Sequence, residues 1–582
     1  MNYFHPYAPS LDETIITAWD SQVAETPWLA PSLAAQTADL FPRFAVAYAQ
    51  LRALPRGARR ALQRQLAHSQ ELATIPSEWQ QKLARSLAGA ALLLALSHGV
   101  AQANTITVNT NVPKIITDGK CSLVEAIINA NNDAATHVDC AAGSGADTIV
   151  LPAASVHTVL TDYDFTYGAT RLPAITSQIT IQGNGSTINR KKSKLLSRLI
   201  AVAASGDLTL DRVTLSGGGQ YNGGAIINLG SLTATNSTIS GNTAVKGGGI
   251  YNAGGALSVE EALFTKNAGV YGAGIFDYSG TTDIEQSTFT GNRTVYGGAA
   301  VYGRFGTVTI QNSTITGNRA SRAAIYNQGG ILEIHNTIIT KNSASEHGGG
   351  VMSNNNRSFS PPPCSVTIEN STISANAAHY DGGGIENESC TLVVSNSTIS
   401  ANKSGTGAGG ISTGFAPSLI ENSTISANSG RYTGGVYGAT ITVTNSTITG
   451  NRAKLVGGVY NRGDMTVKRT IVSGNKGPVG EALSNPSGTM TVDNFNLFGT
   501  NGNAGVSGFT AGASDIIPGA GVLTGNILAP LANNGGPTQT HALVAGSPAI
   551  DASPVDADCP SSDQRGTLRP QGPLCDIGAF EK

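Results

Sequence analysis

The sequence predicts an all-β solenoid, a parallel β-helix of about 12 coils with three short strands in each. Three observations carry that expectation. Asn236 to Asn242 reads N-S-T-I-S-G-N and returns with single changes from Asn312, Asn370, Asn396, Asn422 and Asn445, and in worn form from Glu261, Gln286, Asn336 and Arg469. The starts lie 23 to 26 residues apart, with one interval of 34. Ahead of each motif, apolar residues alternate with polar ones, as in Leu257/Val259, Val308/Ile310 and Ile441/Val443. Before that comes a glycine run, G-G-G-I-Y-N from Gly247, echoed from Gly272, Gly382 and Val456. Three such segments in about 25 residues match one coil whose strands stack about 4.8 Å apart. A leucine-rich repeat has a similar period, but its L-x-x-L-x-L spacing is missing.

Composition sets the bounds. Charged residues make up 13% of the 582, and the formal net charge is −2. That balance shows neither a basic footprint for nucleic acid nor an acidic tail. The 71 glycines are phased with the repeat, so they read as turns rather than low complexity. Six cysteines fall into local pairs 19, 26 and 16 residues apart, with no C-x-x-C. Disulfides in an oxidising compartment are expected, not zinc.

Residues 1–81 differ from the rest. They hold all three tryptophans and an arginine-rich stretch with Arg52, Arg56, Arg59, Arg60 and Arg64, and residues 43–75 have helix-forming composition. A helical or partly disordered leader is expected, its arginines on a solvated face. Residues 82–103 read as a signal peptide: Lys82 and Arg85, the apolar run Leu87 to Leu96, then Ala101-Gln102-Ala103. Cleavage would fall between Ala103 and Asn104. The apolar run is short of the ~20 residues that span a bilayer, so no integral span is expected in the mature chain. The signal follows an unusually long stretch, which reads either as a cytoplasmic leader or as a start assigned too early.

Residues 104–200 are expected to form a cap and the first coils. In C-S-L-V-E-A-I-I-N-A-N from Cys121, Ser122 and Glu125 make a capping box, and Leu123, Ala126, Ile127 and Ala130 share one helix face. Such a helix plugs the apolar cross-section that a solenoid exposes at its end. A Cys121–Cys140 bond would tie it to the following loop. This stretch, with G-A-D-T-I-V-L-P from Gly145 and I-T-I-Q-G-N-G-S-T-I from Ile179, resembles the CSLREA-type start of bacterial exported repeat proteins of the polymorphic outer-membrane-protein kind. Val124 stands where that motif has Arg, so any ion pair of that Arg is lost. The resemblance implies a right-handed parallel β-helix.

Within the repeats, residues 201–498, each column has an expected role. Position 4 of the motif is apolar throughout, from Ile239 to Val472, and should face the core. Position 2 is always small, which suits a tight corner. The last position is Asn242, Asn267, Asn292, Asn318, Asn342, Asn376, Asn402, Asn428, Asn451 and Asn475. These ten should form a structural ladder, with Asn also supplying the left-handed bend. Cys364 and Cys390 each lie six residues before a motif, so stacked coils would bring them into bonding range. The 34-residue interval is accounted for by a loop from Ser353 to Pro363.

Chemistry is harder to find. Glu260 and Glu285 lie one coil apart, with Glu261 and Asp283 beside them; Asp381, Glu386 and Glu388 lie near His347 and His379. Clustered carboxylates on a β-helix could bind Ca²⁺ or act as acid and base. The catalytic candidates are Glu260, Glu285, His347 and Asp381, and no cofactor other than Ca²⁺ is indicated. No phosphate-binding G-K-[ST] occurs. The C-terminal segment, 499–582, contains N-N-G-G-P-T-Q-T-H-A-L from Asn533, G-S-P-A-I-D from Gly546, D-Q-R-G from Asp563 and C-D-I-G-A-F-E from Cys575. It resembles the choice-of-anchor Q domain of bacterial surface proteins, here expected to act as a cap stapled by Cys559–Cys575. His541, Asp551, Asp563, Arg565 and Asp576 are expected to brace its loops. That family implies a following anchor; none is readable before Lys582, so release or retention by a partner is expected.

The leading expectation is an exported, non-enzymatic β-helix at the cell surface, outside the cell or in the periplasm. It would present a face to a glycan or to a host or neighbouring cell. Alternatives are a polysaccharide lyase or hydrolase acting on an acidic glycan from a carboxylate cluster, and a structural or assembly component of the envelope.

Overall fold

The computed structural model describes residues 104–190, 196–355, 364–492 and 494–582, together with Leu83. The chain divides into two compact units, Met1–Gln102 and Ala103–Lys582. The expected leader, the signal-like segment but for Leu83, and most of the Ser353–Pro363 loop lie outside the described residues.

The second unit is a parallel β-helix. One coil runs through Thr243–Lys246, Ile250–Ala253, Ala256–Glu260 and Leu263–Thr265. The last two strands belong to one broad sheet of 27 strands; the second belongs to a 13-stranded sheet, and the first to an 8-stranded sheet. The 13-stranded sheet has one strand per coil, so there are about 13 turns. The three strands read from sequence are all present. The short fourth one, immediately after the ladder asparagine, was not legible, because its sequences (T-A-V-K, A-G-V-Y, R-A-S-R) share no alternation. Beyond Ser404 it persists only as single bridges such as Ser429↔Arg452.

Register follows the motif. Ile239 pairs with Phe264, Phe264 with Phe289, and Phe289 with Ile315, and the column continues to Val472 and Phe498. All of these side chains are fully buried, and Phe264 stacks on Phe289 with centroids 4.5 Å apart. The polar columns are as regular. Nδ2 of Asn292 donates to Oδ1 of Asn318 (3.0 Å) and to the carbonyl of Phe264 (2.9 Å), and its backbone N–H donates to the same Oδ1 (3.0 Å). This pattern repeats from Asn242 to Asn475. Each amide therefore satisfies buried groups that have no other partner in the strand ladder.

The left-handed bend is placed differently from the expectation. Among the motif residues it falls on the first position, Asn236 to Arg469, with φ between 47° and 51°, and on the sixth, as at Lys266 and Ala375. The ladder asparagines do not adopt it. Asn tolerates that conformation best, which explains why the motif starts with Asn so often. Position 2 also does more than fit a corner. The Ser313 hydroxyl accepts from the Ser287 N–H (3.0 Å) and donates to the Gln311 carbonyl (2.7 Å), and the neighbouring coils repeat this.

A second polar column, in the 13-stranded sheet, completes the coil: Asn228, Asn252, Asp277, Gly303 and Asn327 in register. Asn228 Nδ2 donates to Asn252 Oδ1 (2.8 Å), and Asn252 Nδ2 to Asp277 Oδ1 (2.6 Å). Glycines turn the chain into this sheet where nothing larger fits; a Cβ on Gly274 would lie 2.4 Å from the Ala300 carbonyl oxygen.

At the N-terminal end, α1 (Leu123–Asn132) starts at Ser122 with both hydrogen bonds of a capping box to Glu125. It buries Leu123, Val124, Ala126, Ile127 and Ala130 on the first coils, and Cys121 is bonded to Cys140. Val124 is fully buried, so an Arg could not occupy its place unaltered. Cys364 is bonded to Cys390 across two coils, with Cα atoms 4.8 Å apart, and Cys559 to Cys575. The segment after Phe498 turns back along the flank of the last coils. There Thr398 Oγ1 donates to the Gln539 carbonyl, Gln564 Oε1 accepts from Thr424 Oγ1 (2.6 Å), and Lys468 pairs with Asp558. Asp563 bonds Arg565 (2.7 Å), whose guanidinium lies 3.5 Å from the Phe580 ring centre, and Asp576 accepts the N–H groups of Asp551 and Lys582. His541 is buried between Ser426 and the Ala529 carbonyl.

Candidate functional site

In the 13-stranded sheet, the residue after the core isoleucine or valine points away from the core. In register these are Ile227, Tyr251, Phe276, Tyr302, Tyr326, Met352, Glu386, Ser412, Tyr437 and Tyr460. Tyr271 and Tyr296 of the 8-stranded sheet meet them: Tyr271 lies 5.7 Å from Tyr302 and 6.4 Å from Phe276, and Tyr296 lies 6.2 Å from Tyr326. Outward side chains of adjacent strands that touch across a corner mark a re-entrant surface. Over the earlier coils this corner is filled by an aromatic cluster separate from the main core.

The filling changes at Glu386, the one carboxylate in the column. Its side chain is 8% exposed, and His347 Nδ1 lies 3.1 and 3.2 Å from its two oxygens. Asp381 completes the group: one ligand-type atom from each of His347, Asp381 and Glu386 lies within 4.8 Å of the others. The Tyr380 ring packs 5.3 Å from His347 and is 43% exposed. Beyond Glu386 the column opens through Ser412 to Tyr437 and Tyr460, both half-buried, with Arg462 over both rings.

Burial pushes the carboxyls of Glu386 and Asp381 above their ordinary range, while the hydrogen bond that the His347 imidazolium donates to Glu386 raises the pKa of His347. The three groups thus hold protons more tightly than in the unfolded chain. Stability they contribute is present in acid and is lost as pH rises through their raised values. The donor set, one imidazole and two carboxylates, suits a transition-metal ion better than Ca²⁺, which takes six to eight oxygens.

His347 and Asp381, both candidates from the sequence, are brought together by the fold. Glu386 was noted beside them but not ranked, because its outward direction depends on the corner formed by the unread fourth strand. Glu260 and Glu285 pair in register on the far, broad sheet, in a column that also holds Gln311, His335, Glu369 and Glu421. They are solvent-facing, and no buried partner gathers them into a site. A further cleft of about 550 Å³ lies at the N-terminal cap, lined by Val112, Ile115, Ile116, Val156, Leu160 and Tyr163.

Residues 268–416 match the family model described as right handed beta helix region. The molecule is a right-handed parallel β-helix. No curated protein matches the chain. Among solved structures, the crystal structure of pectate lyase Pel9A matches at 14% identity, over 84% of this chain and 98% of that chain, with a TM-score of 0.24. An overlap that loose says nothing of what this chain does.

Proposed function

We propose that this β-helix is an exported binding protein that holds a glycan in the re-entrant corner between its 8- and 13-stranded sheets. The observation that carries the reading is the break in the outward column. Packed side chains up to Met352 give way to a polar, partly open stretch: Tyr380 packs on His347 beside Asp381 and Glu386, and Tyr437 and Tyr460 follow two and three coils beyond Glu386 in the same column. Aromatic faces with a few fixed hydrogen-bonding groups are what a sugar ring, apolar on its faces and polar on its rim, requires. Glu386 is too enclosed to reach a glycosidic oxygen and serves to orient His347, which argues for binding over cleavage. Three disulfides support an oxidising compartment, and among the described residues no helix is long and apolar enough to cross a membrane. The CSLREA-like start and choice-of-anchor-like end support attachment at, or release from, a bacterial surface.

The test is a glycan panel screened against the full chain. For whichever oligosaccharide binds, Tyr437→Ala, Tyr460→Ala and Asp381→Asn should each weaken binding about tenfold, the effect of losing a central anchor. Unchanged affinity in all three would place binding elsewhere and end this reading.

A further inference from the structure

The 8-stranded sheet, with the single bridges that continue it beyond Ser404, carries a second feature, on the side away from the corner. The residue after each ladder asparagine forms a straight outward column: Thr243, Ala268, Arg293, Arg319, Ser343, Ala377, Lys403, Ser429, Arg452 and Lys476. Five of the ten are basic, none is acidic, and all five basic ones are exposed. The two flanking columns also lack acids. One adds Lys266 and Lys341 among glycines and alanines, and the other adds Arg431 and Lys454.

Arg293 sits directly opposite Arg319, and Arg452 opposite Lys476. Like charges one strand spacing apart, about 4.8 Å, repel and destabilise a sheet unless an anion lies between them. No ion pair within the described residues relieves this stripe; the ion pairs of this region, Arg322–Glu346 and His347–Glu386, lie at the corner. The contrast with the broad sheet is sharp. There Glu260, Glu285, Glu369 and Glu421 share one column, with Asp283 and Glu333 in the next but one. A net charge of −2 conceals two faces of opposite sign.

We propose that the basic column binds a linear polyanionic polysaccharide laid parallel to the solenoid axis. A stripe one residue wide, with charges at multiples of the coil spacing, fits a single extended chain carrying regularly spaced carboxylates or sulfates. Single-stranded nucleic acid is disfavoured because the three columns carry a single Phe, Tyr or Trp, Tyr221 in the first strand, and none beside the basic residues on which bases could stack. The inference concerns a different surface from the corner and does not rest on that reading.

The experiment measures binding of dextran sulfate, uncharged dextran and single-stranded DNA to the full chain across a salt series. Dextran sulfate should bind with salt-dependent affinity and dextran should not. Replacing Arg293, Arg319, Lys403, Arg452 and Lys476 by Gln should weaken dextran sulfate binding about tenfold or more and flatten the salt slope. Exchanging Arg for Lys and Lys for Arg at the same five positions should preserve it, and Y437A/Y460A should leave it unchanged. Unaltered thermal melting of the Gln variant would show that the loss is not unfolding. Equal dextran sulfate affinity of parent and Gln variant would overturn the assignment, as would tighter binding of DNA than of dextran sulfate through the same residues.

Discussion

Replacing Asn318 with Ala is expected to destabilise the β-helix by about 3 to 5 kcal/mol, more than most single substitutions. The Asn318 side chain accepts from the Asn292 N–H and Nδ2 (both 3.0 Å), and donates to the Phe289 carbonyl (2.9 Å) and to Asn342 Oδ1 (3.1 Å). Alanine leaves a buried N–H and a buried carbonyl without these partners, at about 1–3 kcal/mol each. Asp should do no better, because its second oxygen would face the Phe289 carbonyl where Nδ2 now donates. Urea unfolding of both variants, followed by circular dichroism, checks this. A midpoint within error of the parent would show that the ladder is decorative. Because coils stack as nearest neighbours, unfolding should begin at the altered coil.

Asp277→Asn is expected to stabilise the protein above neutral pH, by up to about 3 kcal/mol. Asp277 is fully buried in a column of amides, and burial raises its carboxyl from 3.8 to about 6. At 1.36 kcal/mol per pH unit, that rise corresponds to about 3 kcal/mol. The folded-state value is raised, so the stability it contributes is complete below about pH 4 and is lost as pH climbs through about 6. Oδ1 accepts from Asn252 Nδ2 and Thr282 Oγ1, whereas Oδ2 is buried with no partner. In the previous coil Asn252 Nδ2 donates to the Gly255 carbonyl, so Asn at 277 can make the matching bond to Gly280. Melting temperatures of parent and variant should agree near pH 4 and diverge toward pH 8. A variant less stable at pH 8 would contradict the account.

Most of the fold is legible in the sequence because a stacked coil repeats its physical problem at each turn. An inward column must be apolar, as Ile239 to Val472 show, and buried chain ends of each strand need side-chain partners, as the asparagines show. What escapes is what the repeat does not impose. The bend could not be assigned to the first Asn or the last by residue type alone, since both columns hold Asn. The Asp277 column was hidden because Gly303 and Ser353 interrupt it. The corner cluster depended on a fourth strand without pattern, so His347 and Asp381 were visible as neighbours but Glu386 was not visible as their enclosed partner. The basic column was invisible for a different reason. Its charges are a coil or more apart in sequence, and composition sums them against the opposite face.

The account holds that the corner binds a glycan and does not cut it, and an assay for cleavage tests this most directly. The full chain is incubated with an oligosaccharide shown to bind at the corner, with and without added divalent metal, and products are followed as new reducing ends and as unsaturated sugar ends. The account predicts bound but intact oligosaccharide. Products formed by the parent and lost in both Glu386→Gln and Asp381→Asn, with binding by the Glu386→Gln variant retained, would contradict it and make the His347–Asp381–Glu386 group a catalytic centre.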